Sequence, residues 1–214
     1  MEDTLRHIGL RQKLVEALRA RGIAGAPVLA AMGRVPRHFF LDGALDRVAY
    51  EDRAVPIDAG QTISQPSTVA VQTELLQLQA GQRVLEVGTG SGYQAAVLCA
   101  MGAQLYSVER HGVLHQKAAS TLAAMGYHPT LVLGDGFEGL PAHAPFDKIM
   151  LTCGAEQPPP ALLRQLAVGG RMVIPMGSAA QLHMCTIDRL SEAEFRQTKY
   201  GRCAFVPLLR GVNH

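Results

Sequence analysis

The stretch VLEVGTGSGY, Val84 to Tyr93, decides the reading of the chain, together with Glu109, which closes a second apolar run, QLYSVER, seventeen residues after Gly92. Arg83 to Val87 is short and rich in aliphatic and β-branched residues, the composition of a buried parallel strand, and it breaks at Gly88. Gly88, Gly90 and Gly92 allow backbone angles closed to other residues and let a ligand lie against the main chain. The helix expected next, Tyr93 to Met101, presents free N–H groups at its start. An acidic residue about twenty positions beyond the first glycine, at the tip of the following strand, is placed to accept hydrogen bonds from two ribose hydroxyls. Glu109 stands there.

The spacing separates two cofactor classes. Nicotinamide and flavin enzymes usually show G-x-G-x-x-G, with a pyrophosphate on the helix N-terminus, whereas this chain reads G-x-G-x-G. Glu86, two residues before the first glycine, adds a carboxylate that repels a pyrophosphate and attracts a cationic amino-acid group. The pattern therefore favours S-adenosylmethionine over NAD. A tight structural turn also uses glycines, but strand, turn, helix and Glu109 together point to a ligand. Asp135 and Gly136 fall at the end of the third expected strand. Asp135 is placed to accept a hydrogen bond from an adenine amino group, although an ordinary Asp-Gly turn reads the same way.

Around this centre the chain alternates helix and strand. Leu5, Leu10, Leu14, Val15 and Leu18 recur at helical spacing among Arg11, Lys13, Arg19 and Arg21, an amphipathic helix whose basic face is expected to be solvated. A short helix from Pro27 to Gly33 follows, then an irregular, Pro- and Gly-punctuated stretch from Val35 to Gln65 that should wrap over the core. Further helices are expected over Pro66–Leu78, His111–Met125 and Pro160–Ala167, and strands over Thr130–Leu133, Asp147–Cys153 and Arg171–Pro175. Gln181–Ile187 and Arg202–Leu209 read as an antiparallel sheet edge separated by the polar SEAEFRQ stretch.

Composition bounds the class. With 214 residues and 48% hydrophobic content the chain fills one domain and is not disordered. A net charge of +2 is too mild to imply a nucleic-acid or anionic-membrane partner. Cys99, Cys153, Cys185 and Cys203 show no C-x-x-C spacing and read as reduced thiols rather than a metal site or disulfides. The N-terminal MEDTLRHIGLRQKL has no continuous apolar core, so a cytoplasmic location is expected.

The segment GQTISQPSTVA, Gly60 to Ala70, resembles the substrate and catalytic segment of the protein-L-isoaspartate O-methyltransferase family. The resemblance continues through VPI at 55–57, TELL at 73–76, VLEVGTGSGY, YSVER, GDGFEGLP at 134–141, APFDKIM at 144–150, LLRQLAVGGRMVIPMG at 162–177 and VPLL at 206–209. It implies a Rossmann-like methyltransferase fold, α/β, with a mostly parallel doubly wound sheet and an antiparallel C-terminal edge. One domain is implied, with N-terminal helices and a substrate segment over 1–80, a cofactor core over 81–177 and C-terminal strands over 178–214. The resemblance puts the active-site serine on Ser64, with Thr62, Ile63, Gln65 and Val206 around the substrate. It puts S-adenosylmethionine contacts on Gly88, Gly90, Gly92, Glu109, Arg110, Asp135, Gly136 and Ser67, beside Glu86. Ser67 departs from the His or Tyr that relatives carry after the proline, and a small hydroxyl cannot close over a cofactor as an aromatic does. CGAEQPPP departs more mildly from A-G-A-P.

The implied activity is methyl esterification of the free α-carboxylate of L-isoaspartyl, and in some members D-aspartyl, residues in aged peptides and proteins by a monomer. A carboxylate with a pKa of ~3.9 or below is already ionised at neutral pH, so no catalytic base is needed. Other chemistries fit less well. No G-x-S-x-G elbow surrounds Ser64 or Ser91 for acyl transfer. His111 and His115 lie one helical turn apart but without an H-E-x-x-H pattern, so no metal is expected. A methyltransferase for RNA or a small molecule would lack TISQP and VPLL, and a non-catalytic cofactor-binding protein draws support only from Ser67.

Overall fold

A computed structural model describes residues 2–178 and 180–213. Helices α1 (Leu5–Ala20) and α2 (Ala26–Arg34) open the chain. Leu14 and Leu18 bury one face of α1. Its basic face is not wholly solvated: Arg11 is buried, bidentate on Asp3, and donates to the Gly33 carbonyl and the Tyr50 hydroxyl. A guanidinium can be buried when its donors find such partners, which periodicity alone does not reveal.

Between Val35 and Gln65 the chain is irregular, as its proline and glycine spacing predicts. It holds three short 3₁₀ turns (Arg37–Phe40, Gly43–Val48, Asp58–Gly60) and a two-residue antiparallel ribbon of β1 (Val55–Pro56) and β2 (Thr62–Ile63). Helix α3 (Pro66–Leu76) follows, with its proline in the first turn, and ends at Gln77 in the left-handed region.

The sheet contains β3 (Arg83–Val87), β4 (Gln104–Glu109), β5 (Thr130–Leu133), β6 (Phe146–Leu151), β7 (Leu166–Ser178), β8 (Gln181–Arg189) and β9 (Phe195–Cys203). Helices α4 (Tyr93–Ala100), α5 (Gly112–Ala124) and α6 (Pro160–Gln165) make the crossovers. The spatial order is β5-β4-β3-β6-β7-β8-β9, parallel through β7 and antiparallel beyond it. The chain steps from β3 outward to β4 and β5, then returns on the other side of β3 as β6. That reversal leaves a crevice at the carboxyl ends of β3 and its neighbours, where open α/β sheets bind ligands.

The last strand is displaced from its expected place. Strand β9 runs through the polar residues Phe195–Cys203 rather than Arg202–Leu209. It is the sheet edge and nearly all its residues are exposed, so its sequence carries no apolar alternation. Residues 204–209 instead cross the strand ends, where the Gly154 N–H donates to the Val206 carbonyl and the Leu208 N–H to the Gly154 carbonyl.

Both faces of the central strand are covered. Val84 joins the core formed with Leu18, Met32 and Leu76, while Leu85 and Val87 join the opposite core with Ile149, Leu162 and Ile174. Glu86 points to the Val84 side by the two-residue period of a strand and is wholly buried. One carboxyl oxygen accepts from the Ser107 hydroxyl at 2.6 Å, and that hydroxyl lies 2.6 Å from Thr89 Oγ1. Burial pushes the Glu86 carboxyl up to about 8 against the Ser107 hydrogen bond, with Glu109 adding to the rise. Between about 4.5 and about 8 the folded chain therefore keeps a proton that the unfolded chain has released, so Glu86 makes stability fall as pH rises through that window. Thermal unfolding of Glu86→Gln should exceed wild type by a margin that widens from pH 5 to pH 8; a margin independent of pH would contradict this.

Candidate active site

The turn after β3 is left-handed at Gly88 (φ +94), Gly90 (φ +53) and Gly92 (φ +89). A Cβ on Gly88 would lie 2.5 Å from Thr152 Oγ1, so that position has no room for a side chain. Gly92 serves packing: its added Cβ would meet Ala118 of α5 at 3.3 Å. At the end of β4 the buried Glu109 carboxylate accepts the Gly90 N–H at 2.8 Å and the His111 N–H at 2.9 Å, one on each oxygen. A carboxylate offers about four acceptor sites, so each oxygen retains capacity for another donor.

Three cavities meet at this crevice. The first, about 260 Å³, is walled by Gly88 and Gly90, by Glu109 and Arg110, by Gly136, and by Val206 to Leu209. Gly136 makes one wall flat, since a Cβ there would lie 2.6 Å from Val87 Cγ1 and 3.1 Å from Leu208 Cδ1. The second, about 40 Å³, is bordered on one side by Ile63 and Ser64 and on the other by Gly88 to Ser91 and Tyr93. The third, about 410 Å³, holds Ser64, Gln65, Thr68, Phe205 and Val206, and Arg202 is the charged residue on its wall. Thr62 and Thr152 border all three. Thr152 is fixed by donating to the Val87 and Gly88 carbonyls. Burial pushes the neighbouring Cys153 thiol up to about 12, so it is no thiolate nucleophile at neutral pH.

Side chains hold the serine segment over this crevice. Arg37 donates to the Ser64 carbonyl at 2.8 Å, and Asp52 accepts the Ser67 N–H at 2.7 Å, satisfying a free donor in the first turn of α3. Lys117 of α5 lies 2.5 Å from Asp58 and 3.5 Å from Asp42, which ties the Ile57–Gln61 stretch to the helix that follows Glu109. The C-terminal segment closes the other side, with Asn213 pairing its backbone to Arg110 and Gly112.

Ser64, Thr62, Ile63, Gln65, Gly88, Gly90, Glu109, Arg110, Gly136 and Val206 all line one or more of these cavities. Four expected contacts do not. Glu86 lies in the core behind the turn, where both faces of a central parallel strand are covered, and lines none of the three cavities. Gly92 faces α5. Asp135 accepts the N–H groups of Phe137 and Gly211, at 2.8 and 2.7 Å, which anchors the C-terminal segment and sets its carboxylate outside the three cavities. Ser67 sits in the first turn of α3, where its hydroxyl accepts from the Gln65 amide at 2.8 Å. The groups that sequence reading missed are Arg37, Asp52 and Arg202. A lone cation inside the apolar VPRHFFL run was the available signal for Arg37; the other two act across more than a dozen residues and leave no local pattern.

Asp3, His7 and His38 bring ligand-type atoms within 4.8 Å of one another, but the imidazoles are stacked at 3.8 Å between centroids. Their polar atoms bond Arg11, Thr4 and Tyr50, which pins the N-terminus onto the turn that carries Arg37. Among the described residues no helix is long and apolar enough to cross a membrane.

A family model described as Protein-L-isoaspartate(D-aspartate) O-methyltransferase (PCMT) matches residues 10–213. Protein-L-isoaspartate O-methyltransferases of Christiangramia forsetii and Flavobacterium psychrophilum are 51% and 50% identical over 214 residues, with 100% of this chain and of each relative covered. A solved protein-L-isoaspartate O-methyltransferase is 27% identical with a TM-score of 0.85, covering 95% of this chain and 67% of that one. A candidate enzyme of the same name from Plasmodium falciparum, solved with S-adenosyl-L-homocysteine, shares the fold at 22% identity and a TM-score of 0.82, covering 93% and 98%. With a family model over residues 10–213 and about half of all residues identical to full-length relatives, the chain belongs to the protein-L-isoaspartate(D-aspartate) O-methyltransferase family.

Proposed function

We propose that this chain esterifies the free α-carboxylate of L-isoaspartyl residues in damaged peptides and proteins, with Ser64 orienting the acceptor. D-aspartyl residues are the second acceptor in the family's description. The observation that carries the reading is the 40 Å³ cavity bordered at once by Ser64 and by the glycine turn, because it brings the acceptor side and the donor side to one point. The 260 Å³ cavity suits S-adenosylmethionine: Gly88 and Gly136 leave flat backbone where a Cβ would intrude, and Glu109 keeps acceptor capacity for ribose hydroxyls. Gly88, Gly90, Glu109, Arg110 and Gly136 would hold it. When bound, it supplies an electrophilic methyl group on a positively charged sulfur.

The chain's own work is alignment and exclusion of water. The acceptor carboxylate is ionised at neutral pH, so Ser64 donates a hydrogen bond to orient it and removes no proton. A hydroxyl donor slightly weakens the nucleophile, so its benefit is geometric. Thr62 and Thr152 flank the junction, and the peptide enters by the 410 Å³ cavity past Gln65 and Val206. The Val206 carbonyl there already accepts the Gly154 N–H, which ties this wall to the end of the sheet. The resulting methyl ester expels methanol when the following backbone nitrogen attacks it, giving a succinimide that reopens in part to normal aspartate. In this reading residues 1–214 act as one domain, a cytoplasmic monomer without a nucleic-acid partner; the mild charge of +2 supports the last point.

Two substitutions separate the two halves of the site. Ser64→Ala should lower turnover on an isoaspartyl peptide about 10- to 100-fold with little change in S-adenosylmethionine affinity; undiminished turnover would remove Ser64 from the mechanism. Glu109→Gln should weaken S-adenosylmethionine binding about 10- to 100-fold, as measured by calorimetry. Unchanged affinity would take Glu109 out of the cradle.

A further inference from the structure

Arg37 is wholly enclosed, yet among the described residues it forms no ion pair. Its Nε donates to the Ala49 carbonyl at 2.9 Å and its Nη2 to the Ser64 carbonyl at 2.8 Å. The guanidinium lies over the ring of Tyr93, 4.7 Å from the centroid, and Nη1 has no hydrogen-bond partner. Tyr93 is itself buried, borders the same small cavity as Ser64, and is the first residue of the helix that continues the glycine turn. One side chain therefore touches the 3₁₀ region, the acceptor serine's peptide group and the foot of the donor turn.

We propose that Arg37 is a positioning residue that fixes Ser64 relative to the glycine turn, gripping the Ser64 carbonyl while its guanidinium carbon sits over the Tyr93 ring. The inference rests on Ser64 being the acceptor-orienting residue. A charge buried without a carboxylate partner is an expensive way to fill space, and an apolar side chain of similar volume would pack with less desolvation. Burial does lower the Arg37 pKa, to about 10, but the group stays charged at neutral pH and keeps all its donors. The fork geometry matters. A guanidinium bonds two carbonyls in different segments through rigidly spaced donors while its carbon sits over an aromatic ring, a fixed geometry that an ammonium on a flexible stem does not reproduce. Holding the Ser64 carbonyl fixes its peptide plane, and with it the direction in which the hydroxyl leaves the main chain. An in-line methyl transfer is sensitive to a displacement of that hydroxyl by about 1 Å.

The test is a double-mutant cycle on the full-length enzyme, with kcat and KM for an isoaspartyl peptide and Kd for S-adenosylmethionine measured for each protein. Arg37→Lys and Arg37→Met are each made with Ser64 present and with Ser64→Ala; the lysine variant retains a buried cation should the methionine variant fail to fold. With Ser64 present, both substitutions should lower kcat about tenfold or more while cofactor Kd and peptide KM move little. With Ser64→Ala, the same substitutions should change kcat less than about twofold, because the group they position is gone. Equal fractional losses in both backgrounds, or full turnover in Arg37→Lys, would overturn the role of Arg37 while leaving that of Ser64 intact. Full turnover in Ser64→Ala alone would overturn both.

Discussion

The hydrogen bond from the Gly90 N–H to the Glu109 carboxylate is the contact on which the site depends. It joins the turn leaving β3 to the end of β4, and so converts two adjacent strand ends into one cradle. The strand order makes the join possible, because β3 lies between β4 and β6 and its carboxyl end is open to both. Thr152, one residue beyond β6, closes the other flank by bonding the Val87 and Gly88 carbonyls. The left-handed glycines follow from this geometry: a main chain pulled toward Glu109 on one side and pressed against Thr152 on the other has no space for a Cβ at Gly88.

The acceptor half is built on another principle. Sheet hydrogen bonds hold the donor cradle, whereas the serine segment has only the two-residue ribbon of Val55–Pro56 with Thr62–Ile63. Long-range side chains supply the rest: Arg37 at the Ser64 carbonyl, Asp52 at the start of α3, Lys117 at Asp58. Such point contacts let a segment lie over a crevice without closing it, and an enzyme that admits a residue within a polypeptide needs that openness. The C-terminal segment completes the enclosure from the far side through Gly154, Asp135 and Arg110.

What the sequence made legible follows the same division. The strand, turn, helix and acidic tip around Val84–Glu109 are local patterns, and the structure reproduces them with boundaries moved by a residue or so. The irregularity of Val35–Gln65 was readable from its prolines and glycines, and the serine segment from its motif. Glu86 is read as a cavity residue from its spacing but lies in the core, because a strand covered on both faces buries every side chain, including an acidic residue two before the turn. Strand β9 was hidden because an uncovered edge strand needs no apolar period. Asp135 and Ser67 sit where motif spacing puts them, but Asp135 is turned to the Gly211 N–H and Ser67 to the Gln65 amide, outside the three cavities, and contacts of that kind are invisible in one dimension.

The central claim is that one cavity joins a methyl-donor cradle to a serine that orients the free α-carboxylate of an isoaspartyl residue. Transfer of labelled methyl from S-adenosylmethionine to two peptides that differ only in an isoaspartyl or a normal aspartyl residue tests it most directly. Base-labile label on the isoaspartyl peptide alone is the expected result. Equal labelling of both peptides, or binding of S-adenosylmethionine with transfer to neither, would contradict it.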